Sequence, residues 1–241
     1  NTPGRWFLRG FLVGILISGS LTAVSYFFRS ERGGNLLGTT PNHYEALGFP
    51  CTLWETGNIA VGYEASGTLT IENGGRVNSQ DAYVGFGDLS ADSQVKIDGL
   101  SLSSQPVALW SINGDLWVGQ GASGWVFLQN GGQLAVTKDL YLASGDDATL
   151  LIDGYNAAGT PSGLSIADSL FVGHRDGAGF MRVKDGAYAD ISGALVVGQE
   201  GSGEIWILSD SGPSSELIIQ GLCRIGLSGS GYIVIDGNAL L

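Results

Sequence analysis

Val61–Gly75 reads VGYEASGTLTIENGG, and the same grammar returns six more times. The opening dipeptide recurs as Val84-Gly85, Val118-Gly119, Leu142-Ala143, Val172-Gly173, Val197-Gly198 and Ile225-Gly226, at spacings of 23, 34, 24, 30, 25 and 28 residues. Each copy passes through a short Gly, Ser and Asp loop into an alternating stretch: GTLTIENGG, SQVKIDG, GWVFLQNGG, ATLLIDG, GFMRVKDG, GEIWILSD and GYIVIDG. All but one end in Asn or Asp before Gly. A fixed phrase repeated at this period marks a stack of similar structural units.

The alternation sets the type of unit. Around each opening dipeptide the residues of one parity are apolar, from Ile59 and Val61 in the first copy to Cys223 and Ile225 in the last. The second stretch repeats this with Leu69 and Ile71 through to Ile233 and Ile235. Period two means strands with one face buried. Stacked at about 4.8 Å per copy, the apolar positions align into columns inside an all-β parallel β-solenoid of about seven coils, roughly 34 Å long. Glycine after the first strand, and after the Asn or Asp, suits tight corners with positive φ.

Forty glycines in 241 residues would suggest low complexity if they were aperiodic, but these keep register. With 44% apolar and only 14% charged residues the chain has the means to build a core. Its net charge of −12 lacks the basic footprint of a nucleic-acid binder, so no nucleic-acid partner is expected. The charge is uneven. From Asn58 onward 7 Lys and Arg face 20 Asp and Glu, whereas the first 57 residues sum to +1.

Three segments follow: 1–32 a transmembrane anchor, 33–57 a linker or N-terminal cap, and 58–241 the repeat domain. The anchor is GFLVGILISGSLTAVSYFF, Gly10 to Phe28, 19 residues without a charge between Arg5 and Arg9 on one side and Arg29 and Arg32 on the other. That length spans a bilayer. A cleaved signal peptide is the rival reading, and it calls for a shorter apolar region and a small-x-small site. Basic flanks held in the cytoplasm put the repeats on the periplasmic or extracellular side of the cell membrane, on a single pass. Gly10, Gly14 and Ser18 recur every fourth residue, a stripe that lets helices approach closely in lipid. The linker, GGNLLGTTPNHYEALGFPCTLWETG, has two prolines and no strand alternation. It either folds over the first coil as a cap, since a solenoid needs its open end covered, or docks its GFPCTLWETG end on the membrane surface or a neighbouring protein.

The pattern VG-x4-G-x-L-x-I-x-NGG, followed after Leu109–Asn113 by L-x-VG, resembles the glycine-rich repeats of autotransporter-associated bacterial surface β-solenoids over about three quarters of the chain. The resemblance implies the fold and an extracytoplasmic setting. It brings no catalytic motif, and the anchor departs from the autotransporter plan.

Outward parity carries the functional signal. On the first strand Tyr83, Trp117, Tyr141 and Phe171 occupy four consecutive coils, and the second strand adds Trp125, Phe127 and Trp206, with Leu151, Phe180 and Tyr232 nearby. Contiguous apolar patches are uncommon on a soluble surface. Either the protein covers them itself, with the long insertions LSLSSQPVALWSIN, YNAAGTPSGLSIA and SGPSSELIIQG or by ring stacking, or a partner does. The closing phrase IDGNALL offers no shield for the last coil, and bare sheet ends invite association.

No enzyme is expected. His43 and His174 lie far apart on a solenoid, so neither a Ser-His-Asp arrangement nor a His-rich metal site assembles, and no cofactor is implied. Asp98, Asp153, Asp185 and Asp236 precede glycine and read as turn residues more than as a carboxylate ladder for calcium or sugar cleavage. Cys51 and Cys223 bracket the repeats, too distant for a disulfide unless the linker runs the solenoid's full length, and Cys223 reads as a buried apolar residue. Three functions remain: an anchored extrinsic scaffold docked on other subunits of a larger membrane assembly, with an energy-transducing complex among the candidates; a surface adhesin or passenger-like module; and a β-helix that binds or cleaves polysaccharide, with carbohydrate as the alternative partner.

Overall fold

The alternating stretches close into coils whose strands lie on three faces. The computed structural model describes residues 42–47, 53–63, 65–87, 92–99, 107–210 and 212–241. All are strand, turn or loop, and every strand pairing within the three sheets is parallel. Together they make a parallel β-solenoid of about six turns. The stretch expected to anchor the chain in a membrane, its Gly10, Gly14 and Ser18 stripe and Cys51 lie outside the described residues. Among those described, no helix is long and apolar enough to cross a membrane.

Three-residue strands such as Ile59–Val61, Leu116–Val118 and Leu170–Val172 stack into a seven-stranded sheet, the short-strand face. Six pairings join its seven strands, so seven copies of the phrase correspond to about six turns. Strands of six to eight residues, such as Gly67–Glu72, Gly124–Gln129 and Ser202–Ser209, form an eight-stranded long-strand face.

The third face was not anticipated. Arg76–Ser79, Leu109–Ile112, Gln133–Val136, Gly163–Ile166, Tyr188–Ile191 and Glu216–Ile219 stack in one sheet together with Leu53–Glu55. The three stretches expected to be surface insertions therefore each end in a core strand. The segment expected to lack strands supplies two: Asn42–Leu47 pairs with Gly67–Glu72 on the long-strand face, and Leu53–Glu55 pairs with Arg76–Asn78 on the third.

Corners follow from local chemistry. After the long strand, Asn73-Gly74, Asn130-Gly131 and Asp185-Gly186 each take two successive positive φ values, and the N–H two residues beyond the Asn or Asp donates back to the carbonyl just before it. This is the type I′ geometry that Asn-Gly and Asp-Gly favour. After the short strand a single left-handed residue turns the chain while its N–H continues the parallel ladder, as in Gly173 N to Leu142 O at 3.0 Å.

Inside, columns of Leu, Ile and Val from the three faces meet with almost no solvent contact. Each such side chain contributes about 1.5–3 kcal/mol by leaving water. Trp110, on the third face, is the largest wholly buried side chain. The last described coil breaks the rule, its short and long strands each pairing on one side alone among the described residues. Cys223, expected to be buried, is exposed there, and Ile225 and Ile235 are 50% and 46% exposed despite their inward parity. Ala60 and Val196 depart in the other direction. Both have outward parity on the short-strand face, yet both are buried.

Candidate interaction surfaces: two aromatic arrays and an aspartate ladder

Because successive short strands pair in exact register, Tyr83, Trp117, Tyr141 and Phe171 stand directly above one another. Their rings stack with centroids 4.8, 5.7 and 4.9 Å apart and planes within 6–9° of parallel. Phe86 meets Tyr83 edge-on and stacks on Tyr63, while His174 tilts against both Tyr141 and Phe171. His174 is held in turn by Gln199, with Nδ1 and Oε1 2.9 Å apart. Within the file ring faces are occupied by neighbouring rings, so each ring is half-buried and shows mainly its edge. Stacked pairs of this geometry add about 0.5–1.5 kcal/mol each beyond burial.

Beside the rings runs a ladder that the sequence reading missed. Asn58, Asp81, Asp115 and Asp139 each precede a short strand, and each Oδ1 accepts the backbone N–H of the corresponding residue one coil on. The N···O distances are 3.1, 3.1, 3.0 and 2.9 Å. The signal was available in NIAVG, DAYVG, DLWVG and DLYLA, three residues ahead of the dipeptide that opens each repeat.

The two arrays touch at one point. The Tyr141 hydroxyl donates to Asp139 Oδ2 at 2.9 Å. Burial first, then this hydrogen bond and the charges of Asp139, Asp115 and Asp168, push the phenol well above its ordinary value of 10.0. Tyr83 is raised as well, by burial and then by Asp81 and Asp115. A phenol raised on folding holds its proton longer in the native state, so the stability it provides is complete below pH 10.0 and drains away above it. Chemical denaturation between neutral and strongly alkaline pH should show this decline, and Tyr141→Phe should flatten it.

The second array lies on a different sheet. On the long-strand face Trp125 and Phe127 stack at 6.1 Å, and Phe180 meets Trp206 edge-on at 6.3 Å. Register places Leu151 beside Phe127, and Glu204 between Phe180 and Tyr232. Trp125, Trp206 and Tyr232 are 39%, 37% and 50% exposed. Glu204 accepts a hydrogen bond from the Trp206 indole. The seven aromatics singled out from the sequence thus divide four and three between two faces: the four cover one another, while Trp125 and Trp206 meet solvent.

The Asp residues before glycine do not form a carboxylate ladder. Gln129 separates Asp98 from Asp153 in register, and Lys184 follows Asp153. Asp98 is nearly buried and ties coils together, accepting from Gln129 Nε2 at 2.8 Å and Asn130 Nδ2 at 2.9 Å, with Lys96 Nζ at 3.0 Å. Lys184 pairs with Asp185 at 2.7 Å and lies 3.8 Å from Asp153, whose pKa burial raises. Among the described residues no group of three or more His, Cys, Asp or Glu is placed to hold a metal ion.

No family model, curated protein or solved structure matches the chain. The fold defines a class: a parallel β-solenoid repeat protein with arrays of aromatic side chains on two of its three faces.

Proposed function

We propose that the chain is a non-catalytic interaction subunit, anchored in the membrane by Gly10–Phe28, which docks its solenoid on other proteins of a larger membrane assembly. The observation that carries this reading is the exposed aromatic patch on the long-strand face, where Trp125, Trp206 and Tyr232 present indole and phenol surface beside Phe127, Leu151 and Phe180. Partly exposed Trp and Tyr supply much of the energy at protein interfaces. The Tyr83 to Phe171 file passes from a docking role to a stiffening one, since stacking occupies its ring faces. The same occupancy weighs against sugar binding at the file, because a sugar stacks on an open ring face.

The test is co-purification of the full chain from mildly solubilised membranes, comparing wild type with the Trp125→Ser and Trp206→Ser double variant. Stoichiometric protein partners should accompany the wild type. The variant should bind them about thirtyfold more weakly or worse, the effect of losing interface hot spots, while melting unchanged. Partners retained at full strength would overturn the docking patch. Glycan retention without protein would favour the polysaccharide reading, and a lone chain would favour the adhesin.

A further inference from the structure

The stacked file joins three oxidisable rings to a proton acceptor. Tyr83, Trp117 and Tyr141 lie nearly parallel, at 4.8 and 5.7 Å, close enough for π overlap along the axis. Each ring is half-buried, with its edge reachable from solvent. Tyr141 alone in the file hydrogen-bonds a carboxylate through its hydroxyl, at Asp139 Oδ2, and Asp139 Oδ1 is already committed to the Ser169 N–H at 2.9 Å. Oδ2 is therefore fixed in place as an acceptor. The phenol otherwise keeps its proton, since burial and the nearby carboxylates oppose ionisation. Loss of an electron from Tyr141 must then carry the proton with it, and the acceptor is in contact.

We propose that the Tyr83–Trp117–Tyr141 stack collects one-electron oxidation from an outer-sphere oxidant and delivers it to Tyr141, with Asp139 as the proton acceptor. The oxidant takes one electron from Trp117 and leaves an indole radical cation beside the Asp81, Asp115 and Asp139 carboxylates. Tyr141 returns one electron to Trp117, and its hydroxyl proton moves along the existing hydrogen bond to Asp139 Oδ2. The products are neutral Trp117, a neutral phenoxyl radical on Tyr141, a protonated Asp139 and the reduced oxidant. Electrons, protons and charge balance with no further reactant. Phe171 and Phe86 are harder to oxidise than Tyr or Trp, so they bound the path at both ends. The chain's net charge of −12 draws a cationic oxidant toward the protein.

The probe is photogenerated tris(bipyridine)ruthenium(III), applied to the full chain with Trp6, Trp54, Trp125 and Trp206 each changed to Phe, so that apart from the wholly buried Trp110 the one indole left to report is Trp117. In this background the indole radical should decay as the phenoxyl radical rises, and a nitroso spin trap followed by peptide mapping should mark Tyr141. Tyr141→Phe keeps the ring stack but removes the electron and proton donor, and should lengthen the indole radical's life by about tenfold or more, a rise of about 1.4 kcal/mol or more in the barrier. Asp139→Asn retains the Oδ1 acceptor for Ser169. It should slow the transfer by a similar factor, and make its rate rise with buffer base. Circular dichroism of each variant establishes that the solenoid is folded. An indole radical whose lifetime ignores Tyr141→Phe, or spin-trap adducts on Tyr155 and Tyr232 in place of Tyr141, would overturn the proposal.

Discussion

Gly173→Ala is expected to lower the unfolding free energy by about 3–5 kcal/mol, combining the left-handed penalty with a main-chain collision. Gly173 sits at φ +72°, and an added Cβ would lie 2.3 Å from the Ser202 carbonyl oxygen and 2.8 Å from the Gly203 nitrogen. Those atoms belong to the next coil and cannot retreat without opening the ladder. Gly154→Ala is the control: φ is +65° but nothing lies within 4 Å, so only the conformational penalty of about 1–2 kcal/mol remains. Urea unfolding of both variants separates the two effects, and equal shifts would refute the packing argument. The chain contains its own comparison. Ala143 holds the equivalent corner at φ +59°, and Gly177 in the next coil leaves room for its methyl group.

Trp110→Ala should be comparably damaging, at about 3–5 kcal/mol for an emptied core site. The indole is wholly buried on the third face, aligned with Val77 on one side and Leu134 on the other. Its Nε1 donates to Ser79 Oγ at 3.1 Å, and Ser79 is itself buried. Truncation leaves a cavity and removes that hydroxyl's donor at once. Trp110→Phe fills most of the space and isolates the hydrogen bond, at about 1 kcal/mol plus the smaller volume change. Thermal or urea melts of the pair measure both. A loss below about 1 kcal/mol for Trp110→Ala would mean that the column collapses to fill the gap.

The long-strand face was legible because six or more residues carry the period in every copy, and the three-residue strands because a fixed phrase, closing on glycine or Ala143, marks each of them. The third face was not. A strand such as Gln133–Val136 commits only Leu134 and Val136 to the core, and Tyr188–Ile191 only Ala189 and Ile191, too few for periodicity to stand out from a loop. Trp110 was visible as a residue but had no face to belong to. The file of rings could be read from parity, whereas the parallel setting of its planes depends on side-chain torsions that no spacing encodes. Of the seven aromatics expected to meet a partner, that setting leaves Trp125 and Trp206 as the more exposed indoles. The aspartate ladder escaped because a lone Asp before a strand looks like ordinary turn chemistry until the next coil's N–H is placed against it.

The stacking of like on like has a consequence for size. Each strand takes its pairing partners from the adjacent coils alone, so every interior coil solves the same packing problem, and its solution does not depend on how many others there are. The molecule is in effect a ruler whose graduations are coils. Gain or loss of one whole graduation would change its reach by about 4.8 Å and leave the joints unchanged.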